Sequence, residues 1–372
     1  MTQTQEQLFA VLRAALWYGG DMSAQPEVTD WPAVIALATD QAVAGLVYDV
    51  VSRLPAHKKP QLEVALTGMA HLLHIEQRNK RQDKVIAALF TELEQSQGLH
   101  PLLMKGQALA ALYPDPVLRQ PGDIDIYLPT EDECGRAVAW AAQYDDDIER
   151  KWREQHHMHD YSCVVNQEMV ELHLRMETFT NKTLARRFDD IINRELNSGI
   201  AQTVPLGGRD IATLPTTLAV VHQLIHISRH LLETGIGLRQ LCDLAVFLRR
   251  RRKDIDPDKV RQYVDELDLT TAAAAIGHIL HDNLGMPTGV IPFDTDPRHA
   301  PFIINEIFTG GSFGKHNTKG RDNLPTPIRK LWSAAFYLKR CIKCRKILKK
   351  EAPSFYVSKI LFNFAGRTAV LD

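Results

Sequence analysis

The stretch that decides the fold contains Lys105-Gly106-Gln107 and, fifteen residues later, Gly122-Asp123-Ile124-Asp125-Ile126-Tyr127. It predicts a strand, a glycine turn, a short helix and then a second strand that carries two carboxylates. Because successive side chains of a strand alternate between its faces, Asp123 and Asp125 should share one face, while the two isoleucines pack into a core. Two acids on one face of an apolar strand repel each other and need a cation between them, such as a divalent metal that holds a triphosphate. An isolated Asp-x-Asp pair is more often solvated at a strand edge, so the prediction of a metal site depends on the surrounding sequence.

The residues between the glycine turn and the aspartates predict a phosphate-binding site. The segment from Gln107 to Tyr113 consists of strong helix formers, and two prolines directly after it end the helix. A helix that begins after a glycine turn presents free N–H groups and a positive dipole end, which suit a phosphate. We therefore expect Lys105, Gly106 and Gln107 to bind the nucleotide, with Lys105 adding a point charge.

A third carboxylate comes from another predicted strand, residues 169–175, in which Glu171 and His173 share the polar face. Residues 161–165 are its predicted hairpin partner, with the turn at 166–168. One interpretation is a half-exposed antiparallel strand whose polar face meets water. Beside the aspartate pair, we favour the other interpretation, in which Glu171 is the third acid of a catalytic site.

These motifs resemble the bacterial uncharacterised nucleotidyltransferase family, which belongs to the DNA polymerase beta-like nucleotidyltransferase superfamily. The resemblance covers about residues 30–315 and is strongest between 102 and 175. One departure is Gln107, since the superfamily at large has Gly-Ser or Gly-Gly at this turn. The resemblance rests on Met104-Lys105-Gly106-Gln107-Ala108-Leu109, Tyr113-Pro114, Arg119, Gly122-Asp123-Ile124-Asp125, Val170-Glu171-Leu172-His173, His222, His226, residues 237–244 and residues 310–314.

The resemblance implies a site for an NTP such as ATP and for Mg²⁺ or Mn²⁺. It implies Asp123, Asp125 and Glu171 as catalytic residues and metal ligands, and Lys105-Gly106 at the phosphates. The acceptor of the nucleotidyl group stays open between a protein, a small molecule and an RNA. The implied reaction moves NMP from the NTP to that acceptor and releases pyrophosphate. The alternative is a non-catalytic nucleotide-binding scaffold or membrane-surface subunit of a polysaccharide or modified-peptide pathway.

A predicted helix that starts near Leu214 carries His222, His226 and His230 in one stripe. Such a stripe is either a metal ligand set or, more often, a polar seam, and we expect a seam that faces the nucleotide cleft. Arg119 and Arg239 are further predicted nucleotide ligands, and His173, His222 and His226 are predicted substrate contacts. Arg229 and Asp243 are candidate partners of the seam. His156, His157 and His159 are expected in a loop near the mouth of the site, and residues 310–315 in a flexible loop that closes over it.

Charge is distributed unevenly along the chain of 372 residues, although its net charge is −1. From Arg329 to Asp372 there are eleven basic residues and two acids, which leaves 33 basic residues and 43 acids in the remainder. Two helices are predicted in this tail, residues 327–350 and 353–364. The segment 329–367 could contact nucleic acid or an anionic membrane, or dock on the acidic body.

The sequence predicts an α+β fold, in which a small mixed-sheet nucleotidyltransferase core is flanked by N-terminal and C-terminal helical regions. The predicted segments are 1–95 (helical), 96–180 (core), 181–300 (helical, completing the cleft) and 301–372 (glycine-rich loop and basic tail). No window of about eighteen apolar residues predicts a transmembrane helix. The polar N-terminus does not resemble a signal peptide, and five scattered cysteines indicate a reducing compartment. We therefore expect a cytoplasmic protein, with peripheral contact at the inner membrane face as an open alternative.

Overall fold

The computed structural model describes residues 1–17, 26–154, 160–198, 202–317 and 325–365. The three histidines at 156, 157 and 159 lie outside these residues, so their predicted loop is not described. The described helices are α1 Gln3–Trp17, α2 Trp31–Asp40, α3 Ala44–Arg53, α4 Leu62–Thr91, α5 Gln107–Ala110, α6 Glu131–Ala141, α7 Ile148–Glu154, α8 Lys182–Leu196, α9 Thr216–Glu233, α10 Leu238–Arg250, α11 Pro257–Glu266, α12 Thr270–His278, α13 Ala300–Gly310, α14 Thr326–Cys344 and α15 Glu351–Ala365. The strands are β1 Leu102–Leu103, β2 Ile124–Tyr127, β3 Asp160–Val165, β4 Glu168–His173, β5 Gln202–Leu206 and β6 Arg209–Thr213.

All six strands form one mixed sheet in the order β3-β4-β2-β1-β6-β5. β2 pairs in parallel with β4, and β1 pairs in parallel with β6, whereas the other three neighbouring pairs are antiparallel. The predicted fold class, a mixed sheet with helical flanks, is confirmed. The predicted hairpin is also present, although its turn is tighter than expected because Glu168 already belongs to β4.

The hairpin β5–β6 interrupts the segment 181–300, which the sequence predicts to be helical. Val204, Leu206 and Ile211 alternate inward and are buried, as a strand with one covered face requires. Gly207 and Gly208 form the turn with φ of +56° and +88°, a conformation that a tight hairpin turn needs. The two strands were missed because they are short and lie between long helical patterns.

The two faces of the sheet pack against different cores. Ile124 and Ile126 belong to a core that the second half of α4 and helix α6 complete, as the alternation predicted. The opposite face lies toward a larger core that α9 and α10 dominate. That larger core includes Leu8, Leu218 and Ile347, so the N-terminal helices, the central helices and the tail share it. The acids of β2 therefore point away from the first core and toward the helical side.

The inner part of the basic tail docks on the body. Arg340 of α14 is buried, pairs with Glu306 and donates to the carbonyl oxygen of Leu231. Glu351 of α15 accepts hydrogen bonds from the backbone N–H groups of Thr180 and Asn181 at 2.6 and 3.0 Å. Both predicted tail helices are present, although the first ends at Cys344 and not at residue 350, and their contacts with the body show that this part of the tail docks. All five cysteines lie in described segments and are buried free thiols.

Candidate active site

The register between β2 and β4 builds the acidic centre of the site. The parallel pairing sets Asp125 directly opposite Glu171 and Tyr127 opposite His173. Because residues opposite each other in a sheet point to the same face, the two carboxylates stand side by side. Asp125 is buried, whereas Asp123 is exposed and precedes the first residue of the strand. Backbone pairing of β2 with β4 therefore brings two of the three predicted acids, Asp125 and Glu171, next to each other.

Two side-chain cations lie against Asp125. Lys105 Nζ is 3.2 Å from Asp125 Oδ1, and His173 Nε2 is 3.1 Å from the same oxygen and 3.3 Å from Glu171 Oε2. Burial opposes ionisation, yet Lys105 and His173 hold the pKa of Asp125 well below its usual range. Burial also opposes a charged His173, but hydrogen bonds to Asp125 and Glu171 raise its pKa to about 9. Lys105 and His173 therefore provide part of the positive charge that the carboxylates of this face require.

The donor set that the structure groups differs from the predicted one. Ligand atoms of Asp125, Glu171 and His173 all lie within 4.8 Å of one another, which suits a single cation. Asp123 stands outside this group at the entrance of the strand. Partial desolvation in the cavity and the charges of Glu171 and Asp125 raise the pKa of Asp123, so this carboxylate shares the same electrostatic environment. His173, predicted as a substrate contact, is placed among the metal-competent side chains.

The glycine turn has the expected conformation, but the helix after it is shorter than predicted. Gly106 has φ +62° and ψ −117°, and a Cβ there would lie 3.3 Å from the carbonyl oxygen of Asp123. α5 ends at Ala110 instead of Tyr113, because the chain then continues in tight turns. Four residues align fewer peptide dipoles than the predicted helix would, and the assignment of Lys105, Gly106 and Gln107 to the phosphates stays a prediction. The buried Gln107 side chain donates to Asp83 of α4 at 2.7 Å and so points toward α4.

Arg119 and Asp243 form a buried clamp. Arg119 Nε and Nη2 donate to the two carboxylate oxygens of Asp243 at 2.7 and 2.8 Å, and the Tyr113 hydroxyl donates to Oδ1 at 2.7 Å. The clamp fixes the segment that leads into Asp123. Arg239 donates to the carbonyl oxygen of Gln120 at 3.1 Å in the same segment. Arg119 and Arg239 both line the cavity, and their assignment as nucleotide ligands stays a prediction.

The three histidines of α9 line the same cavity, as the predicted seam requires. Glu177, which the sequence analysis missed, organises them. Its Oε1 is 2.7 Å from His226 Nδ1 and its Oε2 accepts from Arg229 at 3.0 Å. Burial lowers the pKa of His222 and of His230 to about 4, so both imidazoles are neutral near pH 7. Glu177 follows β4 after bends at residues 174–176, so the alternation of the strand does not extend to it and no local pattern in the sequence indicated it.

The cavity that collects these side chains has a volume of about 570 Å³. Its acidic end holds Asp123, Asp125 and Glu171 beside Lys105. Elsewhere its wall has neutral polar atoms without a hydrogen-bond partner among the described residues, namely both ring nitrogens of His222, Gln120 Oε1, Gln223 Oε1 and Gln240 Nε2. Buried polar groups of this kind are normally hydrogen-bonded, so the wall suits a polar, uncharged ligand surface.

The glycine-rich segment 310–315 also reaches the cavity. Ser312 and Lys315 line it, and Lys315 Nζ lies 2.6 Å from Asp40 Oδ1. Ser312 packs against Gly237 at the start of α10, where a Cβ would lie 3.2 Å from the serine Cα. The position of segment 310–315 in the cavity wall is consistent with the expected position over the site. Closure of this segment over the cavity stays a prediction.

The described helices include none with both the length and the apolarity that crossing a membrane requires. No curated protein and no solved structure matches the chain. The family model described as an uncharacterised nucleotidyltransferase matches residues 27–285, which is more than half of the chain and contains β1 to β6. The match ends before the glycine-rich segment, to which the predicted resemblance extended. With its paired acids at the centre of this matched region, the chain belongs to the uncharacterised nucleotidyltransferase family.

Proposed function

We propose that this protein catalyses metal-dependent nucleotidyl transfer from an NTP to an acceptor hydroxyl or phosphate. The observation that carries the proposal is the parallel pairing of β2 with β4, which sets Asp125 opposite Glu171 at the wall of a large cavity. In the proposed reaction the acceptor oxygen forms a bond to the α-phosphorus, and the bond between that phosphorus and the pyrophosphate oxygen breaks. The acceptor proton leaves with a base.

The acidic end fits a divalent cation of the Mg²⁺ or Mn²⁺ type. Carboxylate oxygens are the ligands that these hard cations prefer, and Asp125 and Glu171 present theirs within 4.8 Å of each other. Asp123 would complete the acidic set from the entrance, and His173 would become a further ligand only after losing its proton. When bound, such a cation neutralises phosphate charge and polarises the reacting phosphoryl group.

The remaining roles belong to side chains of the chain. Asp125 raises the pKa of Lys105 although burial opposes this, so the ammonium group stays charged and can bind a phosphate. Glu171 is only partly buried, with 26% of its side chain exposed, so it is accessible and would accept the acceptor proton. The neutral wall around His222 and Gln240 would hold the uncharged parts of the nucleoside or acceptor.

The proposed partners are an NTP and an acceptor of the nucleotidyl group. The family implies an NTP, and we propose to begin with ATP. The proposed acceptor is a protein, a small molecule or an RNA, and a cytoplasmic location is part of the proposal. A nucleotide-binding scaffold would bind the NTP and release no pyrophosphate.

The test is calorimetric titration of each NTP with Mg²⁺ into the wild-type protein and into Asp123→Asn and Glu171→Gln. Both positions are accessible, so these variants should stay folded, whereas Asp125→Asn would leave Lys105 and His173 facing each other. Asp132→Asn, an exposed acid on α6, is the matched control. We expect metal-dependent binding of one NTP in the titration. In a separate assay of released pyrophosphate, with water as the acceptor, we expect slow release that is lost in both site variants and kept in the control. Release that persists unchanged in Asp123→Asn and Glu171→Gln would refute the proposal.

A further inference from the structure

Helix α14 presents an apolar stripe on the side that faces away from the body. Four large aliphatic side chains recur every three to seven residues, and each is between 42% and 65% exposed: Ile328, Leu331, Leu338 and Ile342. The opposite side of the helix carries Ser333, Arg340 and Cys344, which are buried against the body. Docking of the tail therefore accounts for one face of α14 and leaves the aliphatic face without a packing partner among the described residues.

The charges around this stripe are all of one sign. Residues 326–350 contain nine lysines and arginines and no acid. Arg340 and Lys343 are engaged by Glu306, whereas Lys330, Lys339 and Lys346 are exposed. The surface of α14 thus combines aliphatic side chains with cations, and it has no anion of its own.

We propose that α14 binds an anionic lipid bilayer by lying in the interface plane with its aliphatic stripe toward the acyl chains. A helix with an apolar face and flanking lysines binds in this way, through apolar burial together with attraction to anionic headgroups. From Ile328 to Ile342 the stripe extends roughly 20 Å along the helix axis, which is long enough for several side chains to insert together. The buried face of α14 would keep the catalytic body attached to the membrane surface.

Two other occupants fit the same face less well. Single-stranded nucleic acid requires exposed aromatic platforms, but Trp332 and Phe336 stack on each other at 5.0 Å, and Tyr337 packs against Phe355. A second copy of the chain would bring the cations of two α14 helices together, with no acid on either. An anionic bilayer can bury the aliphatic stripe and also neutralise the cations of α14.

Helix α4 supplies an internal control. It also exposes aliphatic side chains in a row, at Leu62, Leu66, Met69 and Leu73. Residues 62–74 contain Glu63 and neither lysine nor arginine. If apolar exposure alone caused vesicle binding, α4 and α14 would contribute alike.

The experiment is co-sedimentation of the full chain with vesicles of phosphatidylglycerol and phosphatidylcholine, compared with phosphatidylcholine alone. We expect binding only to the anionic vesicles, weakened about tenfold or more by Leu331→Gln/Leu338→Gln, by Lys330→Gln/Lys339→Gln and by salt near 0.5 M. Leu66→Gln/Leu73→Gln should bind as wild type does. Circular dichroism and NTP titration of each variant separate this result from loss of folding and from the proposed catalysis.

Three outcomes would overturn the proposal. The first is no binding of wild type to anionic vesicles. The second is equal loss in the α14 and α4 variants, which would indicate non-specific adhesion. The third is that the wild type does not bind vesicles but instead binds RNA or forms a dimer in solution, and that the α14 variants lose this RNA binding or dimer formation. This last outcome would assign the face to nucleic acid or to a second copy.

Discussion

Replacing Asp243 by asparagine tests whether the Arg119–Asp243 clamp is a desolvated ion pair. Both side chains are 6% exposed and are joined by two hydrogen bonds. The asparagine would keep the shape of the side chain and an acceptor for the Tyr113 hydroxyl, but it would remove the negative charge. Because Arg119 would then be a buried cation without its counter-charge, the free energy of unfolding should fall by about 3–5 kcal/mol.

The measurement is urea unfolding followed by circular dichroism, with Arg150→Gln as the control. Arg150 pairs with Asp147 and Glu154 on the exposed surface, and its loss should cost less than about 1 kcal/mol. The double variant Arg119→Met/Asp243→Asn removes the buried cation and should therefore be more stable than Asp243→Asn alone. If Asp243→Asn cost no more than Arg150→Gln, the clamp would be solvated and the reasoning wrong.

Two further predictions concern backbone strain and pH. Gly106→Ala should lower the free energy of unfolding by about 1–3 kcal/mol in urea unfolding, because alanine is strained at φ +62°. Gly289 has open space around it, so the control Gly289→Ala should change the free energy of unfolding by less than about 0.5 kcal/mol. His222 has a pKa near 4 in the folded protein against 6.5 for the free side chain, so the unfolded chain binds more protons between these values and stability falls as the pH drops from 6.5 to 4. His222→Gln should reduce that loss of stability between pH 7 and pH 4 by about 3 kcal/mol, measured by urea unfolding at the two pH values. His74→Gln, on the exposed surface, is the control and should leave the loss of stability unchanged.

The fold could be predicted where the local sequence has a clear period. The alternation of Asp123, Ile124 and Asp125 indicated which face of β2 is acidic, and the structure places both isoleucines in the core. The β5–β6 hairpin was missed because two five-residue strands give too few repeats to outweigh the helical patterns on both sides. The length of α5 was overestimated for a related reason, since helix propensity is weak over four residues.

The sequence by itself determined the acidic pair, the glycine turn beside it, the strand that carries Glu171 and the histidine stripe of α9, because each depends on residues close together in the chain. Only the tertiary structure decided which partners these groups have. It joined Arg119 to Asp243 and Glu177 to His226, and it turned Gln107 toward α4. It also decided which face of α14 is buried. Periodicity fixes the direction of a side chain relative to its own strand or helix, whereas its partner depends on how distant elements pack, for which a single sequence has no local pattern.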